Sequence, residues 1–110
     1  MEIAELQLLT SRLHVLAHCE RLRILALLVH HSCPVGAVAM FLGMRPAYVS
    51  NQLQTLKGVD LVRSHRQGKF MMYNVNKTVL TQVSAQVLEL GIGWRLSSDA
   101  AGEVAPTNTD

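Results

Sequence analysis

Aromatic residues make up only 5% of this 110-residue chain, against 49% hydrophobic residues overall. A core with so few large rings and so many Leu and Val favours aliphatic helix packing over a β-sandwich. Two cysteines, Cys19 and Cys33, are too few for a disulfide scaffold. Apolar runs stop at the length of Ile24 to Val29, which cannot span a bilayer. The start carries Glu2 and Glu5 and no basic stretch, so no signal peptide is visible and a cytoplasmic location without membrane attachment is expected. Gly-rich phosphate loops, HExxH, GxSxG and CxxC are all missing, and the few carboxylates lie mostly near the ends, which argues against an enzyme.

What is present is charge in one place. The net charge is only +2, but residues 45–77 hold Arg45, Lys57, Arg63, Arg66, Lys69 and Lys77 against the single acid Asp60. The remainder holds Arg12, Arg21, Arg23 and Arg95 against seven acids and is net negative. A basic segment on a mildly acidic body suits a polyanion.

Hydrophobic spacing divides the chain into elements. Leu6, Leu9, Leu13 and Leu16 recur at three and four and predict a helix over 2–17. Leu22, Leu25, Leu28 and Val29 predict a second over 19–30, broken before Pro34. Val35 to Leu42 is a short third helix ended by Gly43 in a left-handed cap. Pro46 suits the first turn of a fourth helix, running to about Lys57 and closed by Gly58. Residues 61–66 and 69–75 read as strands around Gln67-Gly68, with either Phe70, Met72 and Val75 or Met71 and Tyr73 turned inward. From Lys77 the helical period returns through Leu80, Val83, Val87, Leu90 and Trp94. Residues 97–110 are small and polar and are expected to form a flexible tail to a single domain over 1–96. Met40, Met44, Met71 and Met72 read as core or flank filling. The expected fold is mainly α with a small β-hairpin, in the order α-α-α-α-β-β-α. Short helices joined by a Gly-containing turn and followed by a basic hairpin give a winged helix-turn-helix.

The fourth helix carries the chemistry. Val49, Leu53 and Leu56 share one face, which leaves Ala47, Asn51, Gln54 and Thr55 opposite, flanked by Tyr48 and Ser50. Solvated helix faces are normally rich in Glu and Lys; this one is polar and nearly uncharged. Asn and Gln can pair with adenine through two hydrogen bonds, and small or hydroxyl side chains can approach base edges. Arg45, Pro46 and Lys57 at the helix ends, and Arg66, Gln67 and Lys69 on the hairpin, complete a candidate DNA-binding set, the bases among them placed for phosphates. A protein-interaction module would instead need apolar anchors on this helix, and Tyr48 is the sole candidate.

These residues resemble the ArsR/SmtB family of winged-helix repressors over residues 13–76. Leu16-Ala17-His18-Cys19-Glu20-Arg21-Leu22-Arg23-Ile24-Leu25 is similar to the family's Leu-Ala-Asp-Pro-Thr-Arg-Leu-Arg-Ile-Leu. Val49-Ser50-Asn51-Gln52-Leu53-Gln54-Thr55-Leu56 is similar to Val-Ser-His-His-Leu-Lys-Val-Leu. Gly58-Val59-Asp60-Leu61-Val62-Arg63 resembles the Ala-Gly-Leu-Val run entering the wing, and Gly68-Lys69 falls where the family turns. The resemblance implies a homodimeric repressor on a near-palindromic double-stranded operator, with dimer contacts from Leu6, Leu9 and Leu13 on the first helix and Val83, Val87 and Leu90 on the last.

It also implies where a sensing site would lie, and there this chain departs. Pro34 and Gly36 occupy the family's two thiolate positions on the third helix, and residues 77–94 contain no His and no Asp. Neither family metal site is expected, and no cofactor is implied. The remaining sensor candidates are Cys19, at the start of the second helix, with His14 and His18 as further soft ligands, and Cys33. A Cys19–Cys33 disulfide is not expected, because the intervening helix holds the two about 16 Å apart.

Overall fold

The computed structural model describes the backbone of residues 1–101 and side-chain surroundings as far as residue 93. The elements are α1 (Ile3–Leu16), α2 (Cys19–Leu28), α3 (Val35–Leu42), α4 (Pro46–Gly58), β1 (Val62–Gln67), β2 (Phe70–Val75) and α5 (Lys77–Ala101). The expected order is observed. The last helix runs further than expected, through Ala101, since no Pro or Gly interrupts residues 94–101. The rest of the expected tail lies outside the described residues.

Local chemistry sets the boundaries. Glu5 Oε1 accepts the Glu2 backbone N–H at 2.9 Å and closes the start of α1. Pro34 holds an extended conformation at the N-cap of α3, and Pro46 takes the first turn of α4, where its missing N–H leaves no carbonyl unpaired. Gly43 ends α3 at φ 66°, and the Met44 N–H reaches back to the Ala39 carbonyl at 3.0 Å. Gly58 does not play the same part for α4. It lies within the helix, and Asp60, at φ 64°, takes the left-handed position two residues later. Asn76 N-caps α5: its Oδ1 accepts the Val79 N–H at 3.4 Å, while its own N–H reaches the Leu61 carbonyl at 2.9 Å.

The hairpin is antiparallel, with Val62 opposite Val75 and Gln67 opposite Phe70. Its two-residue loop is therefore Gly68-Lys69, one position later than the sequence suggests. Within this loop φ is positive at Gly68, 62°, and not at Lys69, as a type II′ turn requires. This register turns Ser64, Arg66, Met71, Tyr73 and Val75 to one face and Arg63, His65, Gln67, Phe70 and Met72 to the other. Tyr73 and Val75 are buried, so Val75 shares the inward face with Tyr73 rather than with Phe70 and Met72.

The core lies between α2, α3, α4 and the base of the wing. Ile24, Val38, Val49, Leu53, Leu56 and Leu61 are completely buried. Each such aliphatic side chain stabilises the fold by roughly 1.5–3 kcal/mol relative to exposure. On α2 the buried face is Ile24, Leu25 and Leu28, and Leu22 is exposed, so the expected stripe is rotated. The Cys33 and Tyr73 backbones exchange hydrogen bonds of 3.0 and 2.8 Å, tying the loop before α3 to β2.

Candidate nucleic-acid interface

Three fully buried residues of α4, Val49, Leu53 and Leu56, fix its rotation about its own axis. Their burial leaves Pro46, Ala47, Asn51, Gln54 and Lys57 exposed, with Tyr48, Ser50, Gln52 and Thr55 half-buried along the edges. The expected polar face is therefore open to solvent. Thr55 donates its hydroxyl to the Asn51 carbonyl at 3.1 Å, which leaves the Asn51 side-chain amide outside that bond. Gln54 is less free, because its Nε2 leans toward the Tyr73 hydroxyl at 3.5 Å. Lys57 donates to Ser64 Oγ at 2.7 Å and joins the end of α4 to β1. Arg45, at the N-cap of α4, is exposed, and so are Arg66, Gln67 and Lys69 on the hairpin.

Two arginines hold α4 from behind. Arg21 donates through Nε to Gln52 Oε1 at 2.7 Å and through Nη1 to the Val15 carbonyl at 3.2 Å, linking α1, α2 and α4. Arg12, only 6% exposed, donates through Nε to the Val59 carbonyl at 3.0 Å, just past the end of α4. Sequence reasoning missed both. A signal for Arg12 was present, since it falls three residues after Leu9 and four before Leu16, on the apolar face of α1. Also missed were Met40 and Phe41 on α3, which stand 84% and 74% exposed rather than filling core. Met71 is partly exposed as well.

The sensor candidates are not brought together. α1 ends at Leu16 with Ala17 as its C-cap, so His14 and His18 do not share one helix. Among the described residues no group of three or more His, Cys, Asp or Glu is placed to hold a metal ion. His18 Nδ1 instead lies 3.9 Å from Glu20 Oε1. Cys19 is exposed at the first position of α2, whereas Cys33 is buried and both are free thiols. Burial pushes the Cys33 thiol above its ordinary range, which disfavours the thiolate a redox switch needs. Pro34 and Gly36 offer no ligand atoms in their side chains, and residues 77–94 of α5 contain no His and no Asp.

The dimer candidates divide in two. Leu9 and Val83 are already buried inside one chain, because α5 packs back on α1, and they cannot themselves form an outer surface. Leu6, Leu13, Val87 and Leu90 are exposed, as are Ile3, Leu88 and Ile92.

No family model matches the chain. The transcriptional repressor SdpR of Bacillus subtilis is 33% identical over 60 residues, covering 54% of this chain and 67% of that protein. The HTH-type transcriptional regulator NmtR of Mycobacterium tuberculosis is 36% identical over 73 residues, or 66% of this chain; the match spans 61% of NmtR's own length. An ArsR-like regulator from Rhodococcus sp. RHA1 shares the fold over 96% of this chain and all of its own, at TM-score 0.85 and 20% identity. The homodimeric winged helix-turn-helix domain of Mb0332 from Mycobacterium bovis, a possible ArsR-family regulator, aligns at TM-score 0.68 and 29% identity, over 84% of this chain and 85% of that domain. The chain belongs to the ArsR/SmtB family. That family is one of DNA-binding transcriptional regulators of winged helix-turn-helix fold and is non-enzymatic. Within the ArsR/SmtB frame, α3 and α4 are the helix-turn-helix pair, α4 is the recognition helix, and β1 and β2 are the wing.

Proposed function

We propose that this chain is a homodimeric repressor in the cytoplasm that reads a near-palindromic operator through α4 and the wing, without either of the family's usual metal sites. The observation that carries the reading is the exposed face of α4. It is uncharged, with the amides of Asn51 and Gln54 beside the small Ala47 and the half-buried Ser50 at its edge; Arg45 and Lys57 stand at the two ends of the helix, and the following wing exposes Arg66 and Lys69. Neutral hydrogen-bonding groups specify bases, and flanking cations hold phosphates. Two exposed apolar surfaces, on α1 and α5, support pairing with a second copy. Mb0332, a similar domain, is homodimeric. Among the described residues no helix is long and apolar enough to cross a membrane.

The test is fluorescence anisotropy on duplex DNA from upstream of the protein's own gene, over a range of salt, beside a random duplex. Tight, salt-dependent binding that prefers the upstream duplex is expected. Equal affinity for both duplexes would overturn sequence reading. Cys19 is the accessible thiol, so the titration is repeated after mild oxidation and again after reduction. Reversible loss of binding would assign redox control to Cys19, and unchanged binding would remove it.

A further inference from the structure

The tip of the wing carries an apolar group on each face. Phe70 is 51% exposed on the outward face, opposite Gln67, and Met71 is 38% exposed on the inward face, opposite Arg66. Neither belongs to the hydrophobic core, whose share of β2 is Tyr73 and Val75. Lys69 Nζ lies 5.6 Å from the centre of the Phe70 ring, so the ring is held beside a cation. Arg66, Gln67, Gly68 and Lys69 around it are all exposed. An aromatic ring left in water at a two-residue turn adds little to folding. Exposed beside the Lys69 cation, it has the composition of an apolar wedge for DNA.

We propose that Phe70, at the tip of the wing, is an apolar wedge that presses between two base pairs at a flexible step in the minor groove beside the half-site read by α4. This rests on the DNA-reading function proposed above. The minor groove is about 6 Å wide, so the tip's side chains fit where two strands abreast would not. Arg66 and Lys69 meet the phosphates at its rim, and Phe70 meets sugars and base edges. Partial unstacking by such wedges kinks a duplex by roughly 20–90° toward the major groove. Pyrimidine–purine steps open most easily and A-tracts resist. Phe70 therefore gives this regulator a sequence preference at a step that α4 never touches.

The experiment uses the full chain and a duplex selected from a random library. 2-Aminopurine is placed at successive positions of the flank, and bending is read by gel mobility of circularly permuted fragments. Wild type is expected to raise the fluorescence at one flanking step and to bend the duplex. Phe70→Ala abolishes both, and it loses affinity several-fold on a flank with a pyrimidine–purine step but not on one with an A-tract. Its salt dependence stays that of wild type, because no phosphate contact is removed. Phe70→Leu retains part of the bend, and circular dichroism confirms that both variants fold. A Phe70→Ala protein that still bends the duplex, or that weakens equally on both flanks, shows a ring that merely supports the hairpin and overturns the wedge. If wild type itself fails to prefer any selected duplex over random DNA, the underlying DNA-reading function fails, a result visible before any variant is made.

Discussion

Asn51 is the side chain on the exposed face of α4 least committed to the protein itself. Thr55 takes its backbone carbonyl, while Gln54 leans on Tyr73 and Lys57 is held by Ser64. Only Asn51 can offer its whole amide to a base without first giving up a partner. Asn51→Ala is expected to reduce discrimination between operator and random DNA by ~1–3 kcal/mol, with non-specific affinity almost unchanged. Lys69→Ala should weaken both duplexes alike and lower the salt slope by about 1. Anisotropy titrations at several salt concentrations separate the two, and equal losses on both duplexes for Asn51→Ala would refute base reading by this residue. The thiols differ just as clearly. Exposed Cys19 should react promptly with a disulfide reagent, and buried Cys33 only after unfolding. Burial raises the Cys33 thiol in the folded state, so folding holds that proton more tightly than the unfolded chain does. Its contribution to stability is complete below the ordinary cysteine range and is lost as pH rises through the raised value. In a Cys19→Ser variant, denaturant melts at rising alkaline pH should show that loss.

Secondary elements were legible in the sequence wherever spacing or a backbone-restricting residue decided them. Pro34, Gly43 and Pro46 mark the ends of α3 and the start of α4 where they were expected. The buried stripe Val49, Leu53 and Leu56 is the one its spacing predicts, and through it the open face of α4 was legible too. Three-dimensional company was not. Gly58 read as a helix terminator, yet the Leu61 N–H bonds the Leu56 carbonyl and moves the left-handed turn to Asp60. Arg12 and Arg21 entered the sequence reading only as charges outside the basic segment, because their carbonyl and amide acceptors lie in other elements. The two glycines bracketing the recognition helix should therefore respond in opposite directions. An added Cβ meets nothing within 4 Å at either Gly43 or Gly58, so only the backbone decides. Gly43→Ala forces alanine to φ 66° and should destabilise by about 1 kcal/mol. Gly58→Ala sits inside α4 without positive φ and should stabilise by about 0.4–1 kcal/mol. Thermal or urea melts of the two variants provide the check. A loss of stability in Gly58→Ala would mean that the end of α4 is set by something other than the turn at Asp60.

At the scale of the whole molecule, α5 has more apolar surface than one chain can cover. Val83 is buried near α1, and Val87 and Leu90 continue its stripe into solvent. Leu88 and Ile92, four apart, lie roughly on the other side of the same helix and are exposed too. A helix that is apolar on two sides has to be covered twice. The chain's own α1 packs beside Val83 on one side; in the homodimer proposed above, a second copy related by a two-fold axis would cover what is left. Closed two-fold pairing of that kind would present the two α4 helices to successive half-sites about 34 Å apart on one side of a duplex. Leu88→Glu with Ile92→Glu places two carboxylates in that interface and should yield a folded monomer by analytical ultracentrifugation. Its affinity for a full palindrome should then fall to that for an isolated half-site, since the second contact is no longer tethered to the first. Leu9→Ala provides the contrast. Leu9 lies buried within one chain, so its loss should lower the melting temperature as well, by creating a cavity worth ~2–5 kcal/mol. A Leu88→Glu, Ile92→Glu protein that stays dimeric and keeps its preference for the palindrome would place the pairing surface on Leu6 and Leu13 of α1 instead.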